Sequence, residues 1–127
     1  MPPTRNILLV DDDPALCEAI AFALETEDYS VRAYGSGEAV LGEAARLQYD
    51  CAVIDYRLPG VDGLELLARL RTRGLRCPAI IITSNPSARM RHQAENAGAC
   101  LVEKPLLRDS LIDAIDALVA SPGKDGP

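Results

Sequence analysis

The sequence predicts an α/β fold, a doubly wound parallel sheet with helices on both faces. Three observations lead there. Short apolar runs rich in β-branched residues alternate with segments of helical period, and the alternation returns roughly every 20 to 28 residues, enough for about five βα units. The runs are almost continuously hydrophobic, Ile7-Leu8-Leu9-Val10 and Ile80-Ile81-Ile82 above all, as strands covered on both faces require.

The elements follow in order. Ile7 to Val10 is the first strand, and Leu16, Ile20, Ala23 and Leu24 mark one stripe of the helix after it. Ser30 to Tyr34 is the second strand, followed by a stripe of Val40, Leu41, Ala44 and Leu47. Cys51 to Asp55 is the third, followed by Leu64, Leu67, Ala68 and either Leu70 or Arg71. Ala79 to Thr83 is the fourth, with a thinner stripe of Met90, Ala94 and Ala97. Cys100 to Glu103, the weakest run, is the fifth, and Leu111, Ile112, Ile115, Leu118 and Val119 close the series. Asp13 before Pro14 is an N-cap with proline at the first helical position. Asp62 with Glu65 three residues on is an acidic version of the capping box, and Gly98 stands where a left-handed C-cap is expected.

With 127 residues the chain is long enough for one ordinary core. Residues 1–120 form that domain, and 121–127, Ser-Pro-Gly-Lys-Asp-Gly-Pro, have the composition of a flexible tail or linker. At 48% hydrophobic and 25% charged residues, disordered and fibrous classes are excluded. Thirteen basic against nineteen acidic residues give a net charge of −6, which argues against direct nucleic-acid binding because phosphate contacts need clustered Lys and Arg. No apolar stretch approaches a bilayer span and Met1 to Asn6 precede no signal-like apolar region, so the expectation is a cytoplasmic protein with no membrane contact. The four cysteines are widely spaced and accompanied by a single histidine, His92, expected to be exposed. A zinc site is therefore not expected, and Cys17, Cys51, Cys77 and Cys100 read as small buried hydrophobes.

Ligands of open parallel sheets bind beyond the carboxyl ends of the strands, so the residues that terminate each run carry the chemistry. The first strand ends in Asp11-Asp12-Asp13, the third in Asp55, the fourth in Thr83-Ser84, and Lys104-Pro105 follow the fifth. Carboxylates crowded together repel unless a cation sits among them, and all-oxygen ligation suits Mg²⁺. A bound Mg²⁺ makes a phosphoryl group the natural guest, with Lys104 and the Thr83 hydroxyl on its oxygens. Asp55 stands alone on the central strand and is the nucleophile; the paired Asp11 and Asp12 share the cation. The Pro59-Gly60 turn and Gly63 bend the next loop sharply, and that bend turns the Arg57 carbonyl toward the metal.

The run Ile7 to Pro14, the segment Val53 to Gly63, Ile82-Thr83-Ser84 and Glu103-Lys104-Pro105 together resemble the receiver domain of two-component response regulators over nearly the whole chain. The resemblance implies the flavodoxin-like strand order 2-1-3-4-5. It implies that Asp55 accepts a phosphoryl group from a sensor histidine kinase or histidine phosphotransfer protein, that Asp11 and Asp12 hold Mg²⁺, and that Thr83 and Lys104 contact the phosphoryl group, with a cis bond before Pro105. It also implies a signalling switch rather than a turnover enzyme, acting through a phosphorylation-dependent homodimer or effector. Leu101 occupies the position three before the lysine where the family usually has an aromatic switch residue. A haloacid-dehalogenase-type phosphatase shares Asp11-x-Asp13, but needs an acidic pair at a later strand end, where only helix-borne Asp109, Asp113 and Asp116 remain. A flavodoxin-like electron carrier needs phosphate-binding hydroxyls where Asp11 to Asp13 stand.

Overall fold

The computed structural model describes residues 5–43, 48–104 and 108–120. Five parallel strands, β1 (Arg5–Val10), β2 (Tyr29–Tyr34), β3 (Cys51–Asp55), β4 (Ala79–Thr83) and β5 (Ala99–Glu103), form one sheet in the order β2-β1-β3-β4-β5. Five helices connect and close it: α1 (Pro14–Glu25), α2 (Gly37–Gly42), α3 (Gly63–Thr72), α4 (Ala88–Asn96) and α5 (Arg108–Ala120). The doubly wound expectation and the implied strand order both hold.

Alternation along each central strand divides the core in two. Ile7, Leu9, Cys51, Val53, Ile80 and Ile82 point to one face, where Ile20 and Leu24 of α1 and Leu111, Ile112, Ile115 and Val119 of α5 cover them. Leu8, Val10, Ala52, Ile54, Ala79 and Ile81 point to the other, under Val40 of α2 and Leu66, Leu67 and Leu70 of α3. Burial on both faces explains why β1, β3 and β4 read as unbroken apolar runs. β2 and β5 lie at the edges: β2 alternates apolar residues with Ser30 and Arg32, and β5 leaves Cys100 and Glu103 exposed.

Most local signals match. Asp13 accepts from the Ala15 and Leu16 amides, Asp62 from the Glu65 amide at 2.8 Å, and Gly98 has φ of 71° just past α4. The reciprocal half of the capping box is replaced, because the Glu65 carboxylate pairs with Arg69 one turn on at 2.8 Å.

Strands β1, β2 and β5 start one or two residues earlier than hydrophobicity places them, because pairing partners such as Arg5 with Tyr29 and Ala79 with Ala99 extend the ladder into polar or small residues. On α3, Leu67 and Leu70 are buried as expected, but Leu66 is buried and Ala68 exposed, so the stripe runs through Leu66 in place of Ala68; the helix turns its bulkier leucines inward. Cys51 and Cys77 are buried as expected, but Cys17 is half-buried and Cys100, on the edge strand, is exposed. Exposed His92 agrees with its reading. Ala44 and Leu47 of the α2 stripe, Pro105, and the tail 121–127 lie outside the described residues. Among the described residues, no helix is long and apolar enough to cross a membrane.

Candidate functional site

The sheet order changes direction at β1: the chain goes from β1 outward to β2, then returns to β3 on the other side. The loops after β1 and β3 therefore leave in different directions and open a crevice at the carboxyl edge of the sheet. Asp11 and Asp55 sit at that crevice, 1% and 3% exposed, because each directly ends a run of fully buried residues, Ile7 to Val10 and Cys51 to Ile54. Exposed Asp12 completes a trio in which one carboxylate oxygen from each residue lies within 4.8 Å of the others.

Asp13 is turned away from this trio and spent on the α1 cap, while its own N–H donates to Asp11 Oδ1 at 2.9 Å. Asp11 Oδ2 and Asp55 Oδ1 are buried with no hydrogen-bond partner among the described residues. Lys104 Nζ lies 3.2 Å from Asp55 Oδ1, close enough for charge compensation but outside hydrogen-bond alignment. Two orphaned buried carboxylate oxygens beside a third acid are the donor set of a hard divalent cation, and one ammonium does not neutralise three carboxylates. The residues present therefore fit a bound metal ion.

Burial, foremost, pushes the Asp11 carboxyl above its usual range, and the neighbouring Asp55 and Asp12 add to it; the Asp13 amide and Lys104 oppose it. Burial, followed by the Asp11 charge, also pushes the Cys17 thiol up. Burial takes Cys51 to about 12 and Cys77 to about 11, so both remain inert thiols of the core.

Thr83 is 2% exposed at the end of β4, and its hydroxyl donates to the Ser84 carbonyl at 3.2 Å. The Lys104 N–H donates to the Thr83 carbonyl at 2.7 Å, which sets the lysine beside β4. The tertiary structure thus brings Asp11, Asp12, Asp55, Thr83 and Lys104 to one sheet edge. Arg57 is exposed two residues past Asp55. Leu101 is half-buried against the face that carries Leu8 and Ile81.

Two features of the site are not evident in the sequence. The first is the role of Gly63: the loop bend is supplied by Gly60, at φ 85°, as the Pro59-Gly60 turn predicts, and not by Gly63. Gly63 is needed for contact: a Cβ there would collide with the Asp55 carbonyl oxygen and lie 2.9 Å from Tyr56 Cα, and its N–H donates to the Tyr56 carbonyl at 2.8 Å. The second is Cys17, whose Sγ donates to the Asp11 carbonyl at 3.2 Å; its place one turn into α1 was the available signal.

This fold, with an acid-lined edge, a buried strand-end carboxylate and a facing lysine, defines a class of doubly wound α/β domain with an acidic site at the switch point of its sheet. Residues 7–116 match the response regulator receiver domain family, and the chain belongs to it. It is 33% identical over 99% of its length to the transcriptional regulatory protein FixJ of Azorhizobium caulinodans, and 35% identical over 90% of its length to the response regulator MprA of Mycobacterium leprae. The matches cover 60% and 50% of those proteins, so the chain spans little more than half the length of such relatives. Among solved structures, a CheY-like receiver domain from Methanospirillum hungatei superposes with a TM-score of 0.89 at 27% identity, covering 98% of this chain and all of that one. The receiver domain of the sensor histidine kinase PA1611 of Pseudomonas aeruginosa, described with magnesium coordinated in its active-site cleft, superposes at 0.80 with 30% identity, covering 94% of this chain and 100% of that one. The chain is accordingly a receiver domain of two-component signal transduction.

Proposed function

We propose that this receiver accepts a phosphoryl group on Asp55 from the phosphohistidine of a sensor histidine kinase or histidine phosphotransfer protein, in a Mg²⁺-dependent reaction. The observation that carries the reading is the buried Asp55 carboxylate, 3.2 Å from Lys104 and grouped with Asp11 and Asp12. A carboxylate oxygen of Asp55 attacks phosphorus, the phosphorus–nitrogen bond breaks, and the imidazole leaves with the bonding electrons and takes up a proton. Asp11, Asp12 and Asp55, with the Arg57 carbonyl, would hold the Mg²⁺. When bound, the ion neutralises charge between the carboxylates and the phosphoryl oxygens.

Lys104 holds a second phosphoryl oxygen. The Thr83 hydroxyl leaves the Ser84 carbonyl to bind a third, and that movement draws on the loop after β4 and switches the surface offered to a second copy or an effector. The transfer is self-catalysed and stoichiometric, so the domain is a switch and not a turnover enzyme. The acidic chain acts in the cytoplasm and touches neither membrane nor nucleic acid directly; residues 1–120 are the receiver and 121–127 a tail or linker.

Acetyl phosphate with Mg²⁺ is expected to add one phosphoryl group, measured as intact mass, and Asp55→Asn to abolish it. Full labelling of the Asn variant overturns the assignment.

The phosphodonor is expected to dock on α1. Ala15 and Ala19 are exposed there, and Phe22, at 68%, is the exposed large hydrophobic residue among those described. A carboxylate at the rim of such a contact loses part of its hydration without gaining a partner, and a net cost of about 1.4 kcal/mol is tenfold, so Ala19→Glu should slow transfer from the cognate donor about tenfold. Acetyl phosphate labelling should be untouched, and equal slowing in both assays would rule the surface out.

A further inference from the structure

We infer that Cys17 is a positioning residue for the metal end of the site, holding the peptide unit from which Asp11 and Asp12 both hang. The inference rests on the reading of Asp11, Asp12 and Asp55 as a Mg²⁺ site.

Asp11 is fixed at three points. Its N–H donates to the Tyr34 carbonyl at 3.1 Å, its Oδ1 accepts from the Asp13 N–H at 2.9 Å, and its carbonyl accepts from Cys17 Sγ at 3.2 Å. The first two tether the chain on either side of the Asp11 carbonyl. The third reaches the peptide group between Asp11 and Asp12. That group is planar and contains both Cα atoms, so anchoring its oxygen restrains the plane and with it the positions from which the two side chains reach the site.

The arrangement has a ligand to serve. Asp11 is 1% exposed, and its Oδ2, the oxygen left over when Oδ1 is held by Asp13, is buried with no partner among the described residues. An oxygen held in that state points to a cation as its missing partner. Cys17 itself lies one turn into α1 and packs at the margin of the core face formed by Ile20 and Leu24, so the thiol is anchored to the rigid part of the domain. Groups that orient metal ligands in this way contribute to affinity without touching the ion.

The test uses the full chain without phosphodonor. Mg²⁺ affinity is measured by calorimetry for wild type, Cys17→Ala and Cys17→Ser, the amide shifts of Asp12 and Asp13 are recorded by NMR in metal-free protein, and urea midpoints report stability. Cys17→Ala should weaken Mg²⁺ binding about two- to fivefold, the worth of one weak hydrogen bond, and displace both amide shifts. Cys17→Ser, which keeps a donor, should restore affinity and shifts toward wild type whatever its urea midpoint.

Wild-type affinity and shifts in Cys17→Ala, or a Cys17→Ser that binds no better than Cys17→Ala, overturn the inference and leave the metal reading standing. A wild type that binds no Mg²⁺ overturns the metal reading and this role with it.

Discussion

Gly63→Ala is expected to destabilise the protein by about 3 kcal/mol and to slow Asp55 phosphorylation sharply. Helix propensity argues only weakly the other way: alanine is favoured over glycine by up to about 1 kcal/mol in a helix interior, but Gly63 is the first residue of α3. Sterics win here because the added Cβ meets main chain: the Asp55 carbonyl oxygen and carbon and Tyr56 Cα, the last two at 3.0 and 2.9 Å. Backbone inside a five-stranded sheet cannot rotate away, so either α3 lifts from the sheet or β3 shifts and carries the acceptor carboxylate with it. Gly37→Ala is the control. A Cβ there meets Val61 Cγ1 at 2.9 Å and Leu66 Cδ1 at 3.3 Å, ends of side chains that can rotate, and its cost should be well under half as large. Urea denaturation of both variants decides the matter; equal midpoints would show that α3 docks loosely on β3.

Asp11→Asn is expected to stabilise the metal-free protein at neutral pH by on the order of 1 kcal/mol, while removing most of its stabilisation by Mg²⁺. Burial, and then the nearby Asp55 and Asp12, raise the Asp11 pKa above the ordinary value of 3.8. A carboxyl raised in the folded state opposes folding when charged. The cost is complete above the folded-state pKa and is relieved as pH falls toward 3.8. Metal-free wild type should therefore gain a component of stability on mild acidification that the Asn variant lacks. Added Mg²⁺ should raise the melting temperature of wild type far more than that of the variant. An Asn variant less stable than wild type without metal at pH 7 would refute carboxylate crowding.

What was legible in the sequence follows from which interactions are local or periodic. Burial on both faces forces the inner runs of β1, β3 and β4 to be apolar, so those runs and the residues that end them, Asp11, Asp55 and Thr83, could be read along the chain. Caps act within one turn, and Asp13, Asp62 and Gly98 announced themselves by spacing. The expectation that these strand ends face a common ligand needed only the general rule for parallel sheets.

Less was visible wherever two distant segments meet. Edge strands bury one face or less, so the starts of β2 and β5 depended on their partners' register. Gly63 looked like a turn residue because a glycine's reason for being small lies in what approaches it, and the Asp55 main chain reaches it only when α3 docks. Cys17 looked like a core filler, since the acceptor that gives its thiol a task is a carbonyl at the end of another element. Sequence by itself determined the strands and the acidic strand ends, because hydrophobic period and capping are short-range properties of the chain, and the motifs at those strand ends carried the resemblance to receiver domains. The tertiary structure decided which carboxylate oxygens are left without partners, how close Lys104 stands to Asp55 and which residues hold the site in place, because those depend on distances across the sheet edge that only packing sets.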